Sequence, residues 1–244
     1  MSKSLIGTVA VLVVSSVVGS TPTLAESIDR EFHETFEVSP GARLELIHGD
    51  GEVEITPWDK DIIDVHVRYR AEIKGGGVGT EPDFDVEFAQ SGPTVTVQGR
   101  EIGGKGIGIF FNHEYEYAYT IQAPAYVVLD LEGDDGDVAI GGWRGDIEVA
   151  LDDGDLTLRD IDAGVVRIKG QDGDIEIETL TGPLAIQLDD GDISIRDCDS
   201  ADLEIRAQDG DVALEGCRGN FDIALDDGDI DVRRASVSKL TVKA

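Results

Sequence analysis

Residues 151–158 read Leu-Asp-Asp-Gly-Asp-Leu-Thr-Leu. The phrase returns as Gly-Gln-Asp-Gly-Asp-Ile-Glu-Ile at 170–177 and as Leu-Asp-Asp-Gly-Asp-Ile-Ser-Ile at 188–195. Asp-Gly-Asp is centred on Gly136, Gly154, Gly173, Gly191, Gly210 and Gly228, in steps of 18, 19, 18, 19 and 18 residues. Asp50-Gly51-Glu52 is an earlier, weaker copy. Self-similarity at a fixed period marks a repeat architecture, in which each unit buries its apolar side only against its neighbours.

Counting from each glycine, column +2 holds Val138, Leu156, Ile175, Ile193, Val212 and Ile230. Column +4 holds Ile140, Leu158, Ile177, Ile195, Leu214 and Val232. Aliphatic residues two apart, with mostly polar or small residues between, have the period of a strand with one buried face. Column +7 holds Trp143, Ile161, Leu180, Cys198, Cys217 and Ala235. Columns −7 and −5 supply a returning strand: Ile147 and Val149, Val166 and Ile168, Leu184 and Ile186, Leu203 and Ile205, Phe221 and Ile223. Leu240 and Val242 close the chain in the same columns. Stacking such units buries a continuous core and pairs each backbone with the coil above and below. The pattern predicts an all-β fold, a single-stranded parallel β-solenoid of 18–19 residues per coil with two short strands each. A left-handed hexapeptide helix needs one inward residue every six, and the paired columns exclude it.

Column −3 alternates large and small, as Leu151, Gly170, Leu188, Ala207 and Leu225, which suits interdigitated packing. Column +5 alternates Arg159, Glu178, Arg196, Glu215 and Arg233. Opposite charges then lie side by side on the outer face and favour one register.

The N-terminal part is related but interrupted. Leu44, Leu46, Val53, Ile55 and Trp58 fit a first coil around Gly51, and Val65, Val67 and Tyr69 continue as a strand. Gly75, Gly76, Gly77 and Gly79 open an insertion at about 70–115. Within it, Phe84, Val86, Phe88, Val95 and Val97 predict a hairpin across Ser91-Gly92-Pro93. Gly103 to Phe111 reads as a glycine-rich loop, and Tyr115, Tyr117, Tyr119 and Ile121 as another strand. This aromatic-rich region is expected to cap one end of the solenoid, because an open end is an adhesive edge. The regular coils are expected over 129–244, within one domain spanning 26–244.

The segment Tyr119-Thr-Ile-Gln-Ala-Pro124-Ala-Tyr-Val-Val-Leu-Asp-Leu131, followed by serial Gly-Asp-Val and Gly-Asp-Ile turns, resembles a bacterial family of adhesin-like proteins with β-strand repeats. Phe36-Glu-Val38 to Ile55 resembles the opening coil of that family. The resemblance covers most of residues 36–244. It implies a β-solenoid and no catalytic residues. The family often has serine before Gly-Asp; here there is aspartate.

Column −1 is Asp135, Asp153, Asp172, Asp190, Asp209 and Asp227, and column +1 is Asp137, Asp155, Asp174, Asp192, Asp211 and Asp229. Asp134, Asp152, Asp189 and Asp226 add to column −2. Aspartate suits turns because it accepts backbone N–H bonds locally. Stacked about 4.8 Å apart, however, carboxylates repel. Two readings stand: the ladders are turn-formers screened by salt, or they are calcium ligands, since hard cations favour clustered oxygens. The EF-hand loop and the glycine-rich calcium nonapeptide are both absent from the sequence.

Cys198 and Cys217 fall in the same column of adjacent coils, within reach of a disulfide; two buried thiols are the other reading. His33, His48, His66 and His113 share no metal-ligand spacing, and no nucleophile motif or phosphate loop is present. Residues 1–25 read as a cleaved secretory signal, with an uncharged apolar run from Leu5 to Val18 and Thr23-Leu24-Ala25 before the cut. That run is short for a membrane anchor, and no later segment is long enough to span as a helix. A periplasmic, surface or secreted protein is expected.

The chain has 51 acidic and 20 basic residues, for a net charge of −31. Such a polyanion does not bind nucleic acid, because nothing neutralises phosphates. A hydrophobic content of 41% is too high for a disordered acidic tail. The expectation is a non-enzymatic, adhesin-like interaction module whose partner is a protein or a cell-surface glycan. The alternative is a polysaccharide-binding or polysaccharide-degrading β-helix.

Overall fold

The computed structural model describes residues 25–74, 83–102 and 113–243. The expected signal up to Leu24 and the glycine-rich stretches at 75–79 and 103–111 lie outside them. The N-terminal part contains β1 (Ala25–Glu37), β2 (Arg43–Asp50), β3 (Glu52–Trp58), β4 (Ile62–Lys74), β5 (Asp83–Ser91), β6 (Thr94–Ile102) and β7 (His113–Pro124). The repeats form β8 (Val128–Asp135), β9 (Val138–Gly141), β10 (Ile147–Asp153), β11 (Leu156–Asp162), β12 (Val166–Asp172), β13 (Ile175–Thr181) and β14 (Leu184–Asp190). They continue as β15 (Ile193–Asp209), β16 (Val212–Glu215), β17 (Arg218–Asp227), β18 (Ile230–Arg233) and β19 (Ser236–Lys243).

The chain is a parallel β-solenoid with two strand faces. One face runs β6, β2, β8, β10, β12, β14, the second half of β15, β17 and β19. The other runs β7, β3, β9, β11, β13, the first half of β15, β16 and β18. The pairing keeps each column in register: Leu156 faces Ile175 and Ile175 faces Ile193. From Val138 to Ile223 the inward columns are buried, including Val149, Ile168, Ile186 and Ile205. Each such aliphatic contributes about 1.5–3 kcal/mol relative to an exposed side chain.

The turn between faces explains column +7. Gly142, Asp160, Thr179, Asp197, Gly216 and Arg234 all occupy column +6 with φ between 52° and 72°. One left-handed residue after +5 breaks the alternation and returns +7 to the interior. Trp143, Ile161, Leu180, Cys198 and Cys217 are buried there. The Trp143 indole N–H donates to the Val127 carbonyl at 2.8 Å. Cys198 and Cys217 are paired as a disulfide between adjacent coils, with Cα atoms 4.4 Å apart.

The first coil in sequence is not the last in space. Coil β6–β7 stacks outside coil β2–β3, which is held between it and β8–β9. Tyr119 and Ile121 lie beside Val53 and Ile55, so the tyrosine strand extends the repeat columns. The predicted hairpin is β5–β6, with Ser91 opposite Thr94. β4 pairs antiparallel with β7, and β1 antiparallel with β4, so antiparallel strands finish both faces at this end. Aromatic contacts bridge β1 and β5: Phe32 meets Phe84 edge-on at 5.9 Å, and Phe36 meets Phe88 at 6.4 Å.

The other end departs from the column reading. Leu240 and Val242 are 50% and 44% exposed, and Ile230 and Val232 are half-buried. Their columns are inward, but no strand among the described residues lies beyond β18 and β19 to cover them.

The repeat glycines bear directly on one another. Gly173 has φ 123°, and a Cβ there would collide with the Gly154 carbonyl. Gly92 in the hairpin turn has φ 61° and open space around it. Gly173→Ala is therefore expected to cost at least about 3 kcal/mol, and Gly92→Ala only about 1 kcal/mol. Urea unfolding midpoints at constant m-value check the difference.

Candidate functional site

The aspartate edge is built by the ends of one strand row and the starts of the other. Column −1 stacks in register, Asp153 beside Asp135 and Asp172, then Asp190, Asp209 and Asp227. From Gly51 to Gly191 the glycine N–H of the turn donates to the column −1 carbonyl of the next coil, as Gly154 does to Asp172 at 3.2 Å. The turn backbone is thereby satisfied between coils rather than by water.

Column +1 has a defined task. Asp137 Oδ1 accepts the Asp155 N–H at 3.0 Å, and Asp155 Oδ1 accepts the Asp174 N–H at 2.8 Å. Asp174, Asp192 and Asp211 do the same for Asp192, Asp211 and Asp229 at 2.8–2.9 Å. A carboxylate makes this bond charge-assisted, roughly twice as strong as one from a neutral acceptor. That is the physical case for aspartate over serine.

Column −2 relieves charge in a way the sequence reading passed over. Gln171 donates to Asp152, and Gln208 donates to Asp189 at 2.6 Å. The alternation of aspartate and glutamine there places an amide donor beside a carboxylate. Column −1 has no such relief. The Asp153 carboxyl is pushed above its ordinary value by desolvation first, then by the hydrogen bond and charge of Asp172 and the charge of Asp152. Asp50 is pushed up by burial, then by the charges of Glu101, Asp135 and Asp134. Group by group, the twelve aspartates of columns −1 and +1 form two ladders. Among the described residues, their oxygens do not converge three at a time within 4.8 Å.

The outer face also carries the expected ion pairs, with a change of partner. Arg159 reaches Glu178 at 3.5 Å, one coil on in column +5. Arg159 and Arg196 share Glu176, at 3.7 and 3.0 Å. These exposed pairs serve register more than stability.

Two histidine placements were hidden in the sequence. His48 sits in column −3 of the first coil, buried, over Gly133, where a Cβ would collide with its ring. Desolvation lowers its pKa and favours the neutral imidazole. His33 and His66 lie directly opposite each other across β1 and β4. Neither follows from spacing in the chain, because the first needs the repeat phase and the second the strand register.

The fold and the stacked turns define a β-solenoid with an acidic turn edge. Residues 42–244 match the Toastrack DUF4097 family, and the chain belongs to it. No curated protein matches the sequence. Among solved structures, a "putative adhesin" from Bacteroides fragilis shares 14% identity over 88% of this chain and 97% of its own, with a TM-score of 0.43. A "putative cell adhesion protein" from Clostridium sporogenes shares 9% identity over 82% and 98%, with a TM-score of 0.31. A "putative lipid binding protein" from Parabacteroides distasonis shares 10% identity over 86% and 97%, with a TM-score of 0.32. Among the described residues no helix is long and apolar enough to cross a membrane.

Asp153→Asn, Asp172→Asn and Asp190→Asn together are expected to raise the melting temperature by a few degrees at low salt. The gain should shrink as salt shortens the Debye length. Because the raised Asp153 value makes the folded state bind protons more readily, its contribution is present at low pH and lost as pH rises through the folded value. The variant's advantage should accordingly be larger at pH 7 than at pH 3, read by thermal melts at both.

Proposed function

We propose that this chain is an exported, non-enzymatic, adhesin-like interaction module that presents a polar strand face to a protein or glycan outside the cytoplasm. The observation that carries this reading is the shape and chemistry of the two faces. Across one face, the outward row is Asp130, Glu148, Arg167, Ala185, Glu204 and Asp222. Across the other it is Glu54, Ala139, Thr157, Glu176, Ser194 and Ala213. Such rows make a flat platform at strand spacing, suited to a broad partner rather than to an enclosed substrate.

A polysaccharide-cleaving β-helix would combine a groove with aromatic walls and convergent carboxylates. The depression beside the acidic edge is lined by Asp134, Asp152, Lys169, Gln171 and Asp189 among others, with no aromatic residue. Two of its carboxylates, Asp152 and Asp189, accept from Gln171 and Gln208. The acidic edge is read as a diffuse cation surface, in which calcium screens the ladders without a dedicated cage.

Two experiments test the proposal. The mature protein should be retained on immobilised cell-surface polysaccharide or surface protein without releasing reducing ends or unsaturated products. Sustained release of such products would make the chain an enzyme. In thermal melts, calcium and magnesium at matched ionic strength should raise the melting temperature equally over EDTA. A large calcium-selective rise would instead make the ladders specific calcium sites.

A further inference from the structure

We propose that His33, Asp64 and His66 form a binding site for one divalent transition-metal ion of the zinc type. The site lies at the capped end, on the outward side of β1 and β4, apart from the aspartate ladders. In the antiparallel register His33 faces His66 and Thr35 faces Asp64. Asp64 is therefore the diagonal neighbour of His33 and lies two residues from His66 on the same strand face. Strand pleating turns Val65 inward and leaves the three ligand residues outward.

The geometry is that of donors already gathered. His33 Nε2 is 2.7 Å from Asp64 Oδ1, and His66 Nε2 is 3.4 Å from the same oxygen. The two imidazoles stack with centroids 3.8 Å apart and planes 16° from parallel. The three ligand atoms lie within 4.8 Å of one another. A tetrahedral ion with bonds near 2.0–2.1 Å separates its ligand atoms by about 3.3 Å. One distance already matches, and the shorter needs about 0.6 Å of opening between exposed side chains.

The chemistry of the donors selects the ion. Two imidazoles and one carboxylate suit zinc, copper or nickel, whereas calcium and magnesium prefer oxygen cages. The side chains of His33 and His66 are 51% and 57% exposed, so an ion has direct entry. Three protein ligands leave a fourth position for water or for a donor from a partner. β1 pairs along its length with β4, so an ion bridging His33 to Asp64 and His66 would fasten the edge strand to its hydrogen-bonded neighbour. The strands supply a rigid frame on which the site is preorganised.

The test is calorimetric titration of the mature protein with zinc chloride, in millimolar magnesium that occupies the aspartate edge. One zinc per chain is expected. The affinity should fall at least tenfold in His33→Gln/His66→Gln and in Asp64→Asn. It should be unchanged in Asp153→Asn/Asp172→Asn/Asp190→Asn. Cobalt(II) should give a visible d–d absorption with the wild type that the double histidine variant lacks. Metal-free melts of the variants, matched to wild type, show that folding is retained, as expected for exposed substitutions. Zinc uptake of equal stoichiometry and affinity in the histidine variant would overturn the proposal, as would the absence of saturable uptake by the wild type.

Discussion

The fold depends on one contact repeated along its length: glycine stacked on glycine. In the column Gly51, Gly136, Gly154, Gly173, Gly191, Gly210 and Gly228, every φ lies between 115° and 131°. From Gly136 onward, a Cβ at each would strike the carbonyl of the glycine in the coil before. This close approach lets the turn N–H of Gly51, Gly136, Gly154, Gly173 and Gly191 reach the carbonyl of the next coil. The inward columns then fall into register without further instruction. A side chain at this column would remove both the backbone conformation and the coil spacing on which the core depends.

The glycine column also explains why so acidic a chain can stack. Turns that sit on one another bring their flanking residues close, and those residues are aspartates. Column +1 converts that proximity into charge-assisted bonds to backbone N–H groups. Column −2 meets it with glutamine amides. Column −1 places carboxylates side by side in register, and at Asp153 burial, then the neighbouring Asp172 and Asp152, push the carboxyl above its ordinary value. The charge of the edge is thus partly structural, consumed by bonds to backbone N–H groups and to glutamine amides.

The repeat portion was legible because its period carried the register: once columns align, neighbours follow. The strand pairs, the inward aliphatics and the hairpin at Ser91–Thr94 all came from that alignment or from simple alternation. The left-handed column +6 was not visible, because Asp160, Thr179, Asp197 and Arg234 have no common side-chain chemistry. Nor was the position of β6–β7 outside β2–β3, since the chain returns to that end after two antiparallel strands. The exposure of Leu240 and Val242 shows the limit of column logic. A column predicts which way a side chain points, while burial also needs a coil on the far side.

The division between repeated and unrepeated sequence separates positions that the stacking fixes from positions that it leaves open. In the coils, nearly every fixed position is consumed by the fold: glycine for stacking, column +1 for backbone bonds, aliphatics for the core. The N-terminal strands are under no such repetition. There the chain has placed a stacked histidine pair sharing a carboxylate, a buried histidine over a glycine, and an aromatic cluster joining Tyr69, Phe84 and Tyr117. His48 and the aromatic cluster are buried and pack the capped end, whereas His33 and His66 stand exposed on its outward side. The outward rows of the regular coils and the exposed histidine pair of the capped end are therefore separate surfaces, the first set by strand spacing and the second by the antiparallel register of β1 and β4.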